Sequence, residues 1–102
     1  MENSGNVKGE LTKQFLLYSD ETYGKTSMCA VIELPHGGMI AEHDHTMDAE
    51  MYYLLEGEAV VTDNDDTHLL HAGDVVFTGG GNRHSIRNES GTTIHFIAII
   101  FK

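Results

Sequence analysis

No window of this chain shows a sustained apolar stripe with the 3.6-residue period of a helix, whereas short apolar runs closed by turn residues recur along it. The runs predict strands over Leu11–Tyr18, Ser27–Leu34, Glu50–Leu55, Glu58–Asp63, Thr67–His71, Val75–Thr78, His84–Asn88 and Thr93–Phe101. Pro35, the one proline, precedes His36-Gly37-Gly38 and marks a turn. Gly57 breaks the third run from the fourth, Asn64-Asp65-Asp66 is the polar tip of a hairpin, and Gly79-Gly80-Gly81 is a loop. Strands this short, punctuated this often, predict an all-β barrel or sandwich whose small interior holds side chains or a ligand site. Glu50, Tyr52 and Leu54 share one face of their strand by alternation, and Met51, Tyr53 and Leu55 share the other. A strand apolar on both faces needs cover on both. A second copy of the chain and the chain's own N-terminal strand are the two candidate covers.

Length and composition narrow the class. At 102 residues the expectation is one domain over residues 1–102, with 1–10 a flexible N-terminal segment. The sequence has no repeat, no low-complexity tract and no apolar stretch long enough to span a bilayer. The polar start, MENSGNVKGE, and a lone cysteine, Cys29, lead us to expect a cytoplasmic protein. Sixteen acidic and six basic residues give a formal charge of −10, which repels a phosphate backbone. Nucleic acid and membrane are therefore not expected partners, and most of the acids read as a solvated surface.

Seven histidines in an acidic chain raise the question of a metal. On a strand, His43 and His45 project to one side and Asp44 to the other. Glu50 follows five residues later at the start of the next strand, and His84 stands just past the glycine loop, where a third strand can bring it in. Three imidazoles and a carboxylate suit manganese, iron, nickel, cobalt or zinc better than calcium or magnesium. A set without cysteine does not suit a closed structural zinc site.

At these residues the chain resembles the cupin family. The first cupin motif is a glycine, five residues, His-x-His, three or four residues, a glutamate, six residues and a glycine, and Gly37, His43, His45, Glu50 and Gly57 match it over 37–57. The second is a glycine, five residues, Pro-x-Gly, two residues, a histidine, three residues and an asparagine, and Gly73, Gly81, His84 and Asn88 match it over 73–88. Gly79 stands in place of the proline. The resemblance covers roughly residues 25 to 101. It implies a jelly-roll barrel (a double-stranded β-helix) with His43, His45, Glu50 and His84 as ligands of one divalent ion. It also implies a small-molecule ligand, and a homodimer. The resembling enzymes include dioxygenases, isomerases, decarboxylases and lyases of small oxygenated molecules. The expected function is thus that of a metalloenzyme acting on a small carbonyl, enol or carboxylate compound, with dioxygen a candidate co-substrate. The alternative is a non-catalytic small-molecule or metal-dependent binding module.

Other residues carry weaker signals. Tyr52, on the face of Glu50, is the one acid–base group named for the pocket, with a core tyrosine as its structural reading. Met39 and Met47 flank the histidine pair as pocket lining or gap filler. Arg83 reads as a carboxylate anchor at the barrel mouth or as a surface ion pair. His68 and His71 read as hairpin surface, His95 as a strand residue of open facing, and Cys29 as buried.

Overall fold

The structure, a computed structural model, describes residues 7–44, 48–79, 81 and 83–102, and for 7–8 and 41–44 the backbone. Among the described residues there are ten strands: β1 Val7–Lys8, β2 Thr12–Phe15, β3 Thr26–Leu34, β4 Met39–Asp44, β5 Ala49–Glu56, β6 Glu58–Asp63, β7 Asp66–His71, β8 Val75–Gly79, β9 Arg83–Arg87 and β10 Ile94–Phe101. They form two five-stranded sheets, ordered β1-β4-β9-β6-β7 and β2-β3-β10-β5-β8, in which each pairing is antiparallel. This is the all-β architecture that the strand pattern predicts and the jelly roll that the resemblance implies. Among the described residues no helix is long and apolar enough to cross a membrane.

The sheets are held face to face by alternate residues. β10 turns Ile94, Phe96 and Ala98 inward, and each is fully buried. They meet Ile32 and Leu34 of β3, Tyr52 and Leu54 of β5, and Ala59, Val61, Leu70 and Ile86 of the opposite sheet in one core. Removing such side chains from water is the main favourable contribution to the fold, at about 1.5–3 kcal/mol for each large one.

Several boundaries differ from those predicted. β2 ends at Phe15 instead of Tyr18, because Leu16 and Leu17 both donate their N–H to the single carbonyl of Cys29, at 2.8 and 3.4 Å, which ends the ladder. A single 3-10 turn, Ser19–Thr22, follows, its entry fixed by the Tyr18 N–H donating to the Glu21 carboxylate at 2.8 Å. The apolar pattern gave no sign of that turn, nor of the two-residue β1. The hairpin tip is Asn64-Asp65, both with left-handed φ (53° and 80°), so the turn is a two-residue one and Asp66 already pairs with Asp63. Gly79 belongs to β8 and not to a loop.

Two glycines of the motifs have steric reasons. Gly57 has φ 95°, and a Cβ there would stand 2.6 Å from Cγ2 of Ile94. At Gly79, the position where the family pattern has proline, a Cβ would stand 2.8 Å from the Cβ of Ala49 across the ladder. Asn88 ties the far end of the barrel. Its amide donates to the carbonyls of Leu34 (2.9 Å) and Thr92 (2.7 Å), and its oxygen accepts from the N–H and hydroxyl of Ser90.

Candidate functional site

The site is built where β9 faces β5 across the interior. β9 buries His84 and Ile86. β5 turns Glu50, Tyr52 and Leu54 inward, each 3% exposed or less. The two sheets then bring Nε2 of His84 to 3.0 Å from Oε1 of Glu50, with both side chains shut away from water. An imidazole and a carboxylate buried together need partners, since neither is tolerated alone in an apolar interior.

Tyr52 packs flat against His84, ring centroids 4.7 Å apart and planes 12° from parallel, and meets Phe96 edge to face at 5.1 Å. It therefore fixes the plane of the imidazole. Burial, and secondarily the Glu50 carboxylate, hold the Tyr52 phenol well above its ordinary value near 10. At neutral pH it keeps its proton and is a hydrogen-bond donor, not a base.

The first sheet lays out a row through His84. The Cα of His43 on β4 lies opposite it on one side and that of Asp63 on β6 on the other. A register shift between Ile40 and His43 sets this pairing. Ile40 opposes Ile86 and His43 opposes His84, so three steps on β4 match two on β9. Such an extra residue is a bulge, and with the same chain running straight Glu42 would stand opposite His84.

Of the residues singled out from the sequence, Glu50 and His84 are brought into contact and Tyr52 joins them. His43 is placed beside His84 by its backbone. His45 and Met47 lie outside the described residues. Among the described residues no group of three or more His, Cys, Asp or Glu side chains is disposed to hold an ion. Arg83 is exposed, and alternation on β9 puts it on the side away from His84. Met39 lines a cavity of about 360 Å³ with His36, Arg87 and Asn88, at the end of β9 away from His84. His95 faces outward between Glu33 (3.2 Å) and Glu56 (3.1 Å). His68 and His71 are exposed, and Cys29 is buried with a free thiol.

Sequence reasoning missed Asp63 and Thr78. Asp63 continues the inward series Ala59, Val61 on β6, and its Oδ1 receives a long hydrogen bond, 3.5 Å, from the hydroxyl of Thr78 on the opposite sheet. Thr78 is 1% exposed and is the ladder partner of Glu50. Two contacts thus cross the interior side by side, His84 to Glu50 and Asp63 to Thr78. Simple alternation from Val61 marks Asp63 as inward, but its place at the edge of the polar hairpin tip hid it among the acids.

The donor set fits a divalent ion. Nε2 of His84 and Oε1 of Glu50 are a nitrogen and an oxygen donor that converge in a buried setting, and the register adds His43 on the neighbouring strand.

Comparison with known proteins agrees with this architecture. The family model described as the cupin domain matches residues 30–100. The chain is 37% identical over 100 residues to a Thermotoga maritima protein named oxalate-binding protein, covering 98% of this chain and 83% of that one. The crystal structure of a predicted oxalate decarboxylase from Thermotoga maritima superposes with a TM-score of 0.93 at 37% identity, covering 99% of this chain and 88% of the other. A structure from Thermus thermophilus gives 0.79 at 26% identity over 90% of this chain and 83% of its own length.

Proposed function

The chain belongs to the cupin family, and from that premise we propose that it holds one divalent transition-metal ion through His43, His45, Glu50 and His84 and uses it to bind a small oxygenated compound. The observation that carries this reading is the buried His84–Glu50 contact at 3.0 Å, with the backbone of His43 on the adjacent strand. When bound, the ion supplies Lewis acidity, polarising a carbonyl or holding negative charge that develops on oxygen. The chain's own residues do the rest. Glu50 and His84 offer their donor atoms from opposite sheets, and Tyr52 fixes the plane of His84. The core around Leu54, Phe96 and Ile86 excludes water from one side of the site.

The ligand is a small carbonyl, enol or carboxylate compound, for which the relative named oxalate-binding protein is support. Turnover by the bound ion, as in a dioxygenase, isomerase or lyase, is one form of this function. A binding module without turnover is the other, and the same relative's name favours it. Either role belongs to a cytoplasmic protein, in which the single buried thiol of Cys29 stays reduced.

Elemental analysis of untagged protein tests the reading. Close to one transition-metal ion per chain is expected for the wild type, with marked loss in His45→Ala and His84→Ala. Equal and negligible metal in all three would leave the barrel as packing alone.

We also propose that two copies pair through the outer face of the second sheet. Two rows of outward residues run across it without a charge: Val31, Ile97, Tyr53 and Val75, then Ile99, Met51 and Phe77 beside the buried Cys29. β2 extends this sheet at its edge and does not lie over these rows. Phe77 is 61% and Val75 54% exposed. From strand spacing and rise, these positions project to about 230 Å². That is under a third of the ~800 Å² that each partner gives a standard interface. On a chain of charge −10, it is a face on which two copies meet without burying an unpaired acid.

A further inference from the structure

We infer that Asp63 sets the ligand class of the site: it selects a ligand that presents a hydroxyl or amine beside the ion and discriminates against a dianion. The inference rests on the reading of His84 and Glu50 as the ligand-binding centre.

The placement is fixed by backbone and side chain together. Asp63 is the direct cross-strand neighbour of His84, and neighbouring residues of this kind have Cβ atoms about 4.5–5.5 Å apart on one face. The Asn64 N–H donates to the Arg83 carbonyl at 2.8 Å, so the hairpin tip is pinned to β9 just beyond this pair. The Thr78 hydroxyl holds Oδ1 of Asp63 from the opposite sheet. That contact occupies one carboxylate oxygen and leaves acceptor capacity on the group, because a carboxylate accepts at about four lone-pair positions.

Asp63 also lines a cavity of about 440 Å³ that opens between β7 and β8, with Leu70, Val76 and Phe77 among its other walls. Its lining is mixed, with His68 and Asp74 beside the exposed Leu69, Val75 and Phe77. A compound in this cavity meets Asp63, the ladder neighbour of His84. A carboxylate in that position accepts hydrogen bonds and donates none. A ligand hydroxyl or amine is therefore held, while a second ligand carboxylate meets like charge in a setting of reduced dielectric. Ala59 and Val61 precede it on the same inward face, so Asp63 ends an apolar series with a part-buried acid.

Oxalate and glycolate are suitable probes. They share a two-carbon skeleton and one carboxylate, and differ in carrying a second carboxylate or a hydroxyl. Calorimetric titration of the metal-loaded protein would compare the wild type with Asp63→Asn and Asp63→Val, the latter extending the apolar series and serving if the amide variant fails to fold. The expected result is that each variant shifts the ratio of oxalate to glycolate affinity at least tenfold toward oxalate. Thr78→Val, which keeps the charge, should stay within threefold of the wild-type ratio. Metal content should be unchanged in all three variants. An unchanged ratio with both ligands still bound would overturn the role of Asp63 and leave the metal-dependent ligand site standing. Loss of metal in the Asp63 variants would make Asp63 an ion ligand and equally overturn it. Failure of every protein, wild type included, to bind either probe would sink the ligand-site reading and this inference with it.

Discussion

At the scale of single residues, the centre is a small set of polar groups whose placement decides their chemistry. Tyr52 shows this best. Its proton is retained in the folded chain to a pH at which an unfolded chain has released it. Its folded-state value is raised, so the stability linked to it is fully present below the ordinary value near 10 and is lost as pH climbs toward the folded value. Urea unfolding from pH 8 to 11 should therefore show stability falling above about pH 10. Tyr52→Phe should flatten that fall by the share of one proton, and identical slopes in the two proteins would contradict it. The ring has a second role, which Tyr52→Leu would expose. Without the flat contact at 4.7 Å, His84 loses its fixed plane, and metal affinity should drop while Tyr52→Phe retains it. Metal titration of the two variants checks this.

At the scale of elements, turns and registers do the positioning. Gly57 joins β5 to β6 in a conformation that places its missing Cβ against Ile94, so Gly57→Ala should destabilise the protein by about 2 kcal/mol or more. Asn88 accepts and donates at four points that link the β9 exit to Leu34 and to the Ser90–Thr92 turn. Asn88→Ala should cost about 2–3 kcal/mol by leaving buried carbonyls without donors. Thermal and denaturant unfolding measure both. Much at this level was legible in the chain. Alternation in β5 named Glu50 and Tyr52 as facing the same way, and the polar run Asn64-Asp65-Asp66 marked the hairpin, one residue longer than its turn. The strand ends were less legible, because Leu16 and Leu17 are as apolar as Phe15 and only a shared carbonyl, that of Cys29, stops the ladder. Asp63 escaped notice for a related reason. An acid beside a polar tip reads as surface, although alternation from Val61 turns it in, as the contact with Thr78 across the interior shows.

At the scale of the molecule, two sheets divide the labour. The first supplies His84 with His43 and Asp63 as its ladder neighbours, and the second supplies Glu50, Thr78 and Tyr52. The outer face of the second sheet answers a question raised by β5, whose Met51, Tyr53 and Leu55 needed cover. The N-terminal strand does not provide it, since β2 sits edge-on beside β3. The pairing of copies predicts that wild-type protein sediments as a dimer at micromolar concentration. Phe77→Glu, which places a charge on the most exposed residue of that face, at the edge strand β8, should give monomers with little loss of stability, because the residue is 61% exposed in the single chain. A wild type that sediments as a monomer would remove the proposal.

The extra residue in β4 couples chain length to chemistry. At its present length the strand can run straight only by sliding Glu42 into the station beside His84. On the proposed ligand set, that slip would exchange an imidazole for a carboxylate and favour harder cations. Excision of Ala41 would instead absorb the bulge while returning His43 to the same station. The centre is thus insulated from a shortening of this strand by one residue, and exposed to a loss of its kink.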